Sequence, residues 1–138
     1  MGFVSTISGF IVTSEAGKAK DCIAQLPWLK DDSWPFLPAE IFAVAPASPV
    51  LHYKDHHVIH FGMAVKEAET AFSIWLDKFE AFFKTMPGAT EAMVILGSET
   101  IRTQHGSGRF IYHWKRKYGA ADQPDVWEFS GDERDQFQ

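Results

Sequence analysis

KEAETAFSIWLDKFEAFFKTM, residues 66–86, is the stretch on which the fold turns. Ala68, Phe72, Trp75, Phe79, Phe82, Phe83 and Met86 recur at three- and four-residue spacing, which gathers their side chains along one stripe of a helix. The ends follow the helix dipole: Glu67 and Glu69 open the segment, Lys84 lies in its last turn, and Pro87-Gly88 stops it. Glu80 and Lys84 add an i,i+4 ion pair in the favoured order. So aromatic a stripe is read as core and not as the wall of a cofactor pocket.

Working outward, the segments on either side alternate in the manner of strands. Residues 3–13 form a first strand, and Ser14 with Glu15 supplies an N-cap and a first-turn acid for a short helix closed by Pro27. Glu40–Val44 is a short strand ended by Pro46 and Pro49. Val50–Tyr53 and His57–Val65 read as two strands turning at Lys54-Asp55, although that dipeptide lacks the glycine of the usual tight turn. Ala92–Leu96 is apolar without alternation, the mark of a strand covered on both faces. Arg109–Trp114 alternates, Gln104–Gly108 is a turn, and Val126–Phe129 is a last strand before a polar tail. The order β-α-β-β-β-α-β-β-β implies an α+β two-layer sandwich, a mainly antiparallel sheet carrying two helices, with a ferredoxin-like core as the finer expectation. Residues 1–130 are expected to form a single domain and residues 131–138 a frayed C-terminal tail.

Composition bounds the function. The 138 residues suffice for one core, and 13 basic against 18 acidic residues leave a formal charge of −5. That charge opposes broad phosphate binding and so argues against a nucleic-acid partner. It suits a cytoplasmic protein, or one whose partner is basic. Cys22 stands alone, so no intrachain disulfide forms, and its place beside Ala19 and Ile23 is that of a packed thiol. No apolar run is long enough to span a bilayer.

Four of the six histidines fall within residues 52–60, which invites a metal reading. On a strand, however, His56 and His60 share a face about 13 Å apart at about 3.3 Å per residue, whereas two rings on one zinc bring their nitrogens within roughly 3.5 Å. Only His52 and His57 converge across the turn, and no metal, cofactor or catalytic set is expected. His105-Gly-Ser-Gly108 lacks the nucleophile-elbow pattern, and neither phosphate-binding glycine motif is present. Tyr112–Tyr118 interleaves aromatics with three cations but is read as a strand running into an exposed basic end.

What remains is an aromatic excess, five tryptophans among 14% aromatic residues, with Trp28 and Trp34 placed in a proline-rich loop. Tryptophan is enriched at binding hot spots. The expectation is therefore a non-enzymatic protein-binding module, an acidic inhibitor or immunity-type partner. Its surface would comprise Trp28, Asp31, Asp32, Trp34, His52, Asp55 and His57. The alternative is a small-molecule-binding domain or enzyme whose pocket uses His52, His57 and Arg109.

Overall fold

The computed structural model describes residues 4–45, 53–98 and 108–134. It is an α+β fold: six antiparallel strands, among the described residues, and two helices. The strands are β1 (Val4–Thr13), β2 (Phe42–Val44), β3 (His57–Lys66), β4 (Ala89–Ser98), β5 (Arg109–Lys117) and β6 (Val126–Gly131). The helices are α1 (Ala16–Ala24) and α2 (Phe72–Lys84). The sheet order is β2-β3-β1-β4-β5-β6. No helix is long and apolar enough to cross a membrane, among the described residues.

β1 lies inside the sheet, between β3 and β4. Ser5, Ile7, Ile11 and Thr13 are buried and alternate with more open neighbours, as a pleated strand with one covered face requires. Gly9 has a steric role as well. A Cβ there would lie 1.9 Å from the Met93 carbonyl oxygen, so only glycine lets β4 approach.

α2 lays its stripe on that sheet. Phe72, Trp75, Phe79 and Phe83 are at most 1% exposed. Their rings continue into the strands: Phe79 meets Phe61 at 5.0 Å, Phe72 meets Tyr112 at 5.3 Å, and Phe83 meets Trp114 at 5.2 Å. Each such side chain contributes about 1.5–3 kcal/mol on burial, so this aromatic seam is the main driving force of the fold. Ala19 of α1 joins the same cluster, with Cys22 and Ile23 packed against it, so both helices serve one face of the sheet.

Several boundaries differ from the sequence reading. The helix expected from Lys66 starts at Phe72, after a 3-10 turn over Ala68–Ala71, because β3 continues through Lys66 opposite Val4. Glu67 turns the chain with φ 51°, and Glu69, expected as a dipole acid, instead reaches β1. Its carboxylate accepts the Ser5 hydroxyl at 2.8 Å while Ser5 Oγ accepts the Ala68 amide at 3.1 Å. Glu15, not Ser14, occupies the N-cap of α1, and the Ser14 amide donates to the Gly88 carbonyl at 3.0 Å.

β4 is covered on one face only. Ala92, Val94 and Leu96 are buried, whereas Met93 and Ile95 on the other face are half-buried. Tyr53, expected to end a strand, lies in a turn, and Val50, Leu51 and His52 fall outside the described residues, as does most of the Gln104–Gly108 turn. Residues 131–134 of the expected tail are held: Asp132 exchanges hydrogen bonds with Ile111, and Arg134 pairs with Asp77 and Glu80.

Candidate partner-binding surface

Pro27 follows the end of α1 and opens a segment that returns to the sheet at β2. The segment is closed at its base, since the Pro27 carbonyl accepts the Ala39 amide at 3.0 Å. Leu29–Asp31 make one 3-10 turn, and the exposed Glu40 carboxylate accepts the Leu29 amide. Asp32 then organises the tip. Its two carboxylate oxygens accept the Ser33 and Leu37 amides, each at 2.8 Å, substituting for backbone partners the prolines deny.

α2 fixes this loop from below. Trp75 Nε1 donates to the Phe36 carbonyl at 2.8 Å, and Lys78 Nζ donates to the Ser33 and Pro35 carbonyls at 3.1 and 2.8 Å. Lys78 Nζ also stands 3.8 Å from the Asp32 carboxylate, whose side chain is 8% exposed. Leu37 enters the core at 4% exposure. The Trp34-Pro35 peptide bond is cis, and Trp34 meets Phe36 edge-on at 5.4 Å.

On this fixed frame three large apolar side chains face outward: Trp28 at 59%, Leu29 at 47% and Trp34 at 43% exposure. Beside them is a cleft of about 380 Å³ lined by Leu26, Pro27, Leu37, Ala81 and Phe82, with Asp32 and Lys78 at its polar side. Both polar groups are already engaged with each other and with the loop. What the cleft offers a visitor is therefore an apolar wall.

No family model, curated protein or solved structure matches this chain. Its surface has to be read from its own chemistry.

The expected site residues separate into groups. Trp28, Asp31, Asp32 and Trp34 share the loop, with Asp31 exposed and Asp32 turned into the frame. Asp55 lies in a tight turn in which His56 N donates to the Tyr53 carbonyl at 3.1 Å. Lys54 (φ 51°, ψ 46°) and Asp55 (φ 62°) are both left-handed, the conformation of a primed two-residue turn without the usual glycine. His57 opens β3 opposite Thr13, and His60 is exposed on the opposite face of the sheet. His52 lies outside the described residues.

Arg109 is remote from His57. It pairs with Gly97, which pairs with Thr6, whereas His57 pairs with Thr13, so the two sit seven β1 positions apart, about 23 Å at about 3.3 Å per residue. They also face opposite sides of the sheet, Arg109 on the side away from Phe110 and Tyr112. The structure does not bring them into one pocket. Among the described residues no three His, Cys, Asp or Glu side chains are grouped to hold a metal.

The basic stretch after Tyr112 is largely neutralised: Arg116 pairs with Asp125 at 3.1 Å and Lys117 with Glu128 at 3.2 Å. Sequence reasoning missed Leu26, Leu29 and Phe82 as surface formers. Phe82 carried a signal, since it adds an aromatic beside the Phe72, Trp75, Phe79 and Phe83 stripe and widens it past what the sheet alone covers.

Proposed function

We propose that this protein is a non-enzymatic binding module that recognises another protein through the 28–38 loop and the adjoining cleft. The observation that carries the reading is the exposure of Trp28, Leu29 and Trp34 on a loop whose backbone is already fixed by Asp32, Trp75 and Lys78. A rigid scaffold presenting large aromatic side chains loses little entropy on association, which is the economy of a hot spot. The partner would insert apolar side chains into the cleft. The net charge of −5 favours a basic partner through long-range steering, as an acidic inhibitor or immunity-type protein would require. Asp31, exposed on the loop, is the carboxylate placed to meet it, and Asp55 with His57 would extend the contact.

The strand order β2-β3-β1-β4, with α1 and α2 as the connections, supports a ferredoxin-like core extended by β5 and β6. The lone, half-buried Cys22 fits a reducing cytoplasmic setting. A second reading, small-molecule binding, is favoured by the volume of the cleft, which lies in the range of ligand pockets. It would use Leu37 and Phe82 in place of His57 and Arg109.

Replacing Trp28 and Trp34 together by alanine is expected to leave the circular dichroism spectrum and melting transition in place. The same variant is expected to lose capture of a specific partner, identified by a photo-crosslinker at position 31. Unchanged capture, or an unfolded double variant, would remove the recognition role from this loop.

A further inference from the structure

The two borders of the sheet differ. β2, at one border, is three residues long, whereas β6, at the other, runs for six and contains neither proline nor lysine, two of the usual devices that keep an open strand from pairing. Hydrogen-bond alternation identifies the groups that β6 leaves open. The Ser98 amide donates to the Gly108 carbonyl at 2.8 Å, so along β4 and β5 the bonded pairs are Leu96 with Phe110, Val94 with Tyr112 and Ala92 with Trp114. The odd-numbered residues of β5 therefore turn their backbone groups to β6, and the Asp132 amide, which donates to the Ile111 carbonyl at 2.9 Å, agrees. Ser130, Glu128 and Val126 complete that ladder. The amides and carbonyls of Trp127 and Phe129 point the other way, to the open border, where among the described residues no partner meets them.

We propose that this border takes an extended segment of a basic protein, added antiparallel to β6 as a further strand. Unpaired backbone donors and acceptors at two-residue spacing, about 6.6 Å, are matched by another extended backbone. The side chains on each face define the sequence of that segment. On the helix side Trp127 meets Phe83 edge-on at 5.1 Å, and the Phe129 ring centre lies 5.3 Å from that of Trp114 while Phe129 stays 41% exposed. Residues set opposite these two rest on their rings and are apolar. On the other face Glu128 stands between them, so the residue beside it is lysine or arginine. Its present partner Lys117, at 3.2 Å, leaves Glu128 60% exposed, so that pair is weak and its carboxylate is open to a second cation. β6 is the opposite border from β2, to which the 28–38 loop leads, so this is a second surface and does not rest on the role of that loop.

Charge selects a basic segment over a second copy of β6. Within residues 125–134 the ionisable side chains are the acids Asp125, Glu128, Asp132 and Glu133 and one base, Arg134, which is already held by Asp77 and Glu80. Antiparallel self-pairing centred on Glu128 sets that carboxylate against its own copy. Centred on Phe129 it brings Asp125 to Glu133, and centred on Ser130 it brings Glu128 to Asp132. Centred on Trp127 it overlaps only residues 126–128 of the strand. Like charges directly opposite each other destabilise a ladder, whereas a lysine or arginine beside Glu128 meets none of these conflicts.

Amide hydrogen exchange, read by nuclear magnetic resonance on the full chain, tests this with an acetylated and amidated octapeptide of alternating lysine and valine as the probe. In the free protein the Trp127 and Phe129 amides should exchange at least about tenfold faster than those of Val126, Glu128 and Ser130. Peptide at about 1 mM should slow both by about tenfold, the protection that a Kd of about 100 µM gives. The same peptide N-methylated on every valine should not slow them, because those are the amides an antiparallel strand turns to β6. Glu128→Lys, at an exposed position, should weaken peptide binding by at least about threefold. Unchanged exchange with the plain peptide, equal slowing by the methylated one, or undiminished binding to Glu128→Lys overturns the proposal. So do Trp127 and Phe129 amides that are already protected without peptide, or that become so as the protein is concentrated, since the chain or its copy then fills the border. The methylated comparison uses the wild-type chain, so it gives the reading whether or not the variant folds.

Discussion

Asp32 accepts two backbone amides across five residues and stands beside Lys78, while Asp31, its neighbour in sequence, points to solvent. The pair reads alike in the sequence, because which carboxylate turns inward depends on the path of the loop between Pro27 and Ala39, and no local pattern encodes that path. That Trp28 and Trp34 lie in an irregular loop was legible, since three prolines keep the segment out of regular structure, but their exposure was not, because side chains of that size argue equally for folding onto the core. Removing the Asp32 carboxylate strands the Ser33 and Leu37 amides. Asp32→Ala is therefore expected to cost about 1–3 kcal/mol, read as a lower urea midpoint, together with faster proteolysis within residues 28–38. An unchanged midpoint would show that the loop does not depend on this side chain. The turn at Lys54-Asp55 makes the same point about legibility: its position follows from the flanking histidines and valines, but two non-glycine residues in the left-handed region are a conformation that propensity argues against.

At the scale of elements, α2 and its stripe could be read directly, because seven apolar positions at helical spacing leave no other periodic interpretation. Its start could not. The Ser5–Glu69 contact joins residues 64 positions apart and holds the turn before Phe72, so the boundary is set by tertiary structure. β4 misled in a different way: Ala92–Leu96 is apolar throughout, yet only its even-numbered residues meet α2. The stripe itself predicts a ranking. Phe79, at 0% exposure and in ring contact with Phe61, Trp75, Phe83 and Trp114, should cost about 3–5 kcal/mol as Phe79→Ala. Phe82, half-buried at the cleft, should cost at least about 1 kcal/mol less as Phe82→Ala. Thermal denaturation of the two variants side by side checks the order, and equal losses would mean that the cleft wall is as much core as the seam.

For the molecule as a whole, the α+β class and, among the described residues, the lack of a helix long and apolar enough to cross a membrane followed from element order and composition, whereas the separation of His57 from Arg109 required the sheet register. The central place of β1 carries a further consequence, for the order in which the chain assembles. Val4 pairs with Lys66 and Ser5 with Ser98, so the strand that comes first acquires its two neighbours only after long loops have closed. Closure entropy has to be met before either ladder stabilises anything, which places this chain among slow folders of high contact order. On the ribosome, Ile7 and Ile11 stay uncovered until the α2 segment has emerged, and that interval is when the nascent chain is most open to misassembly.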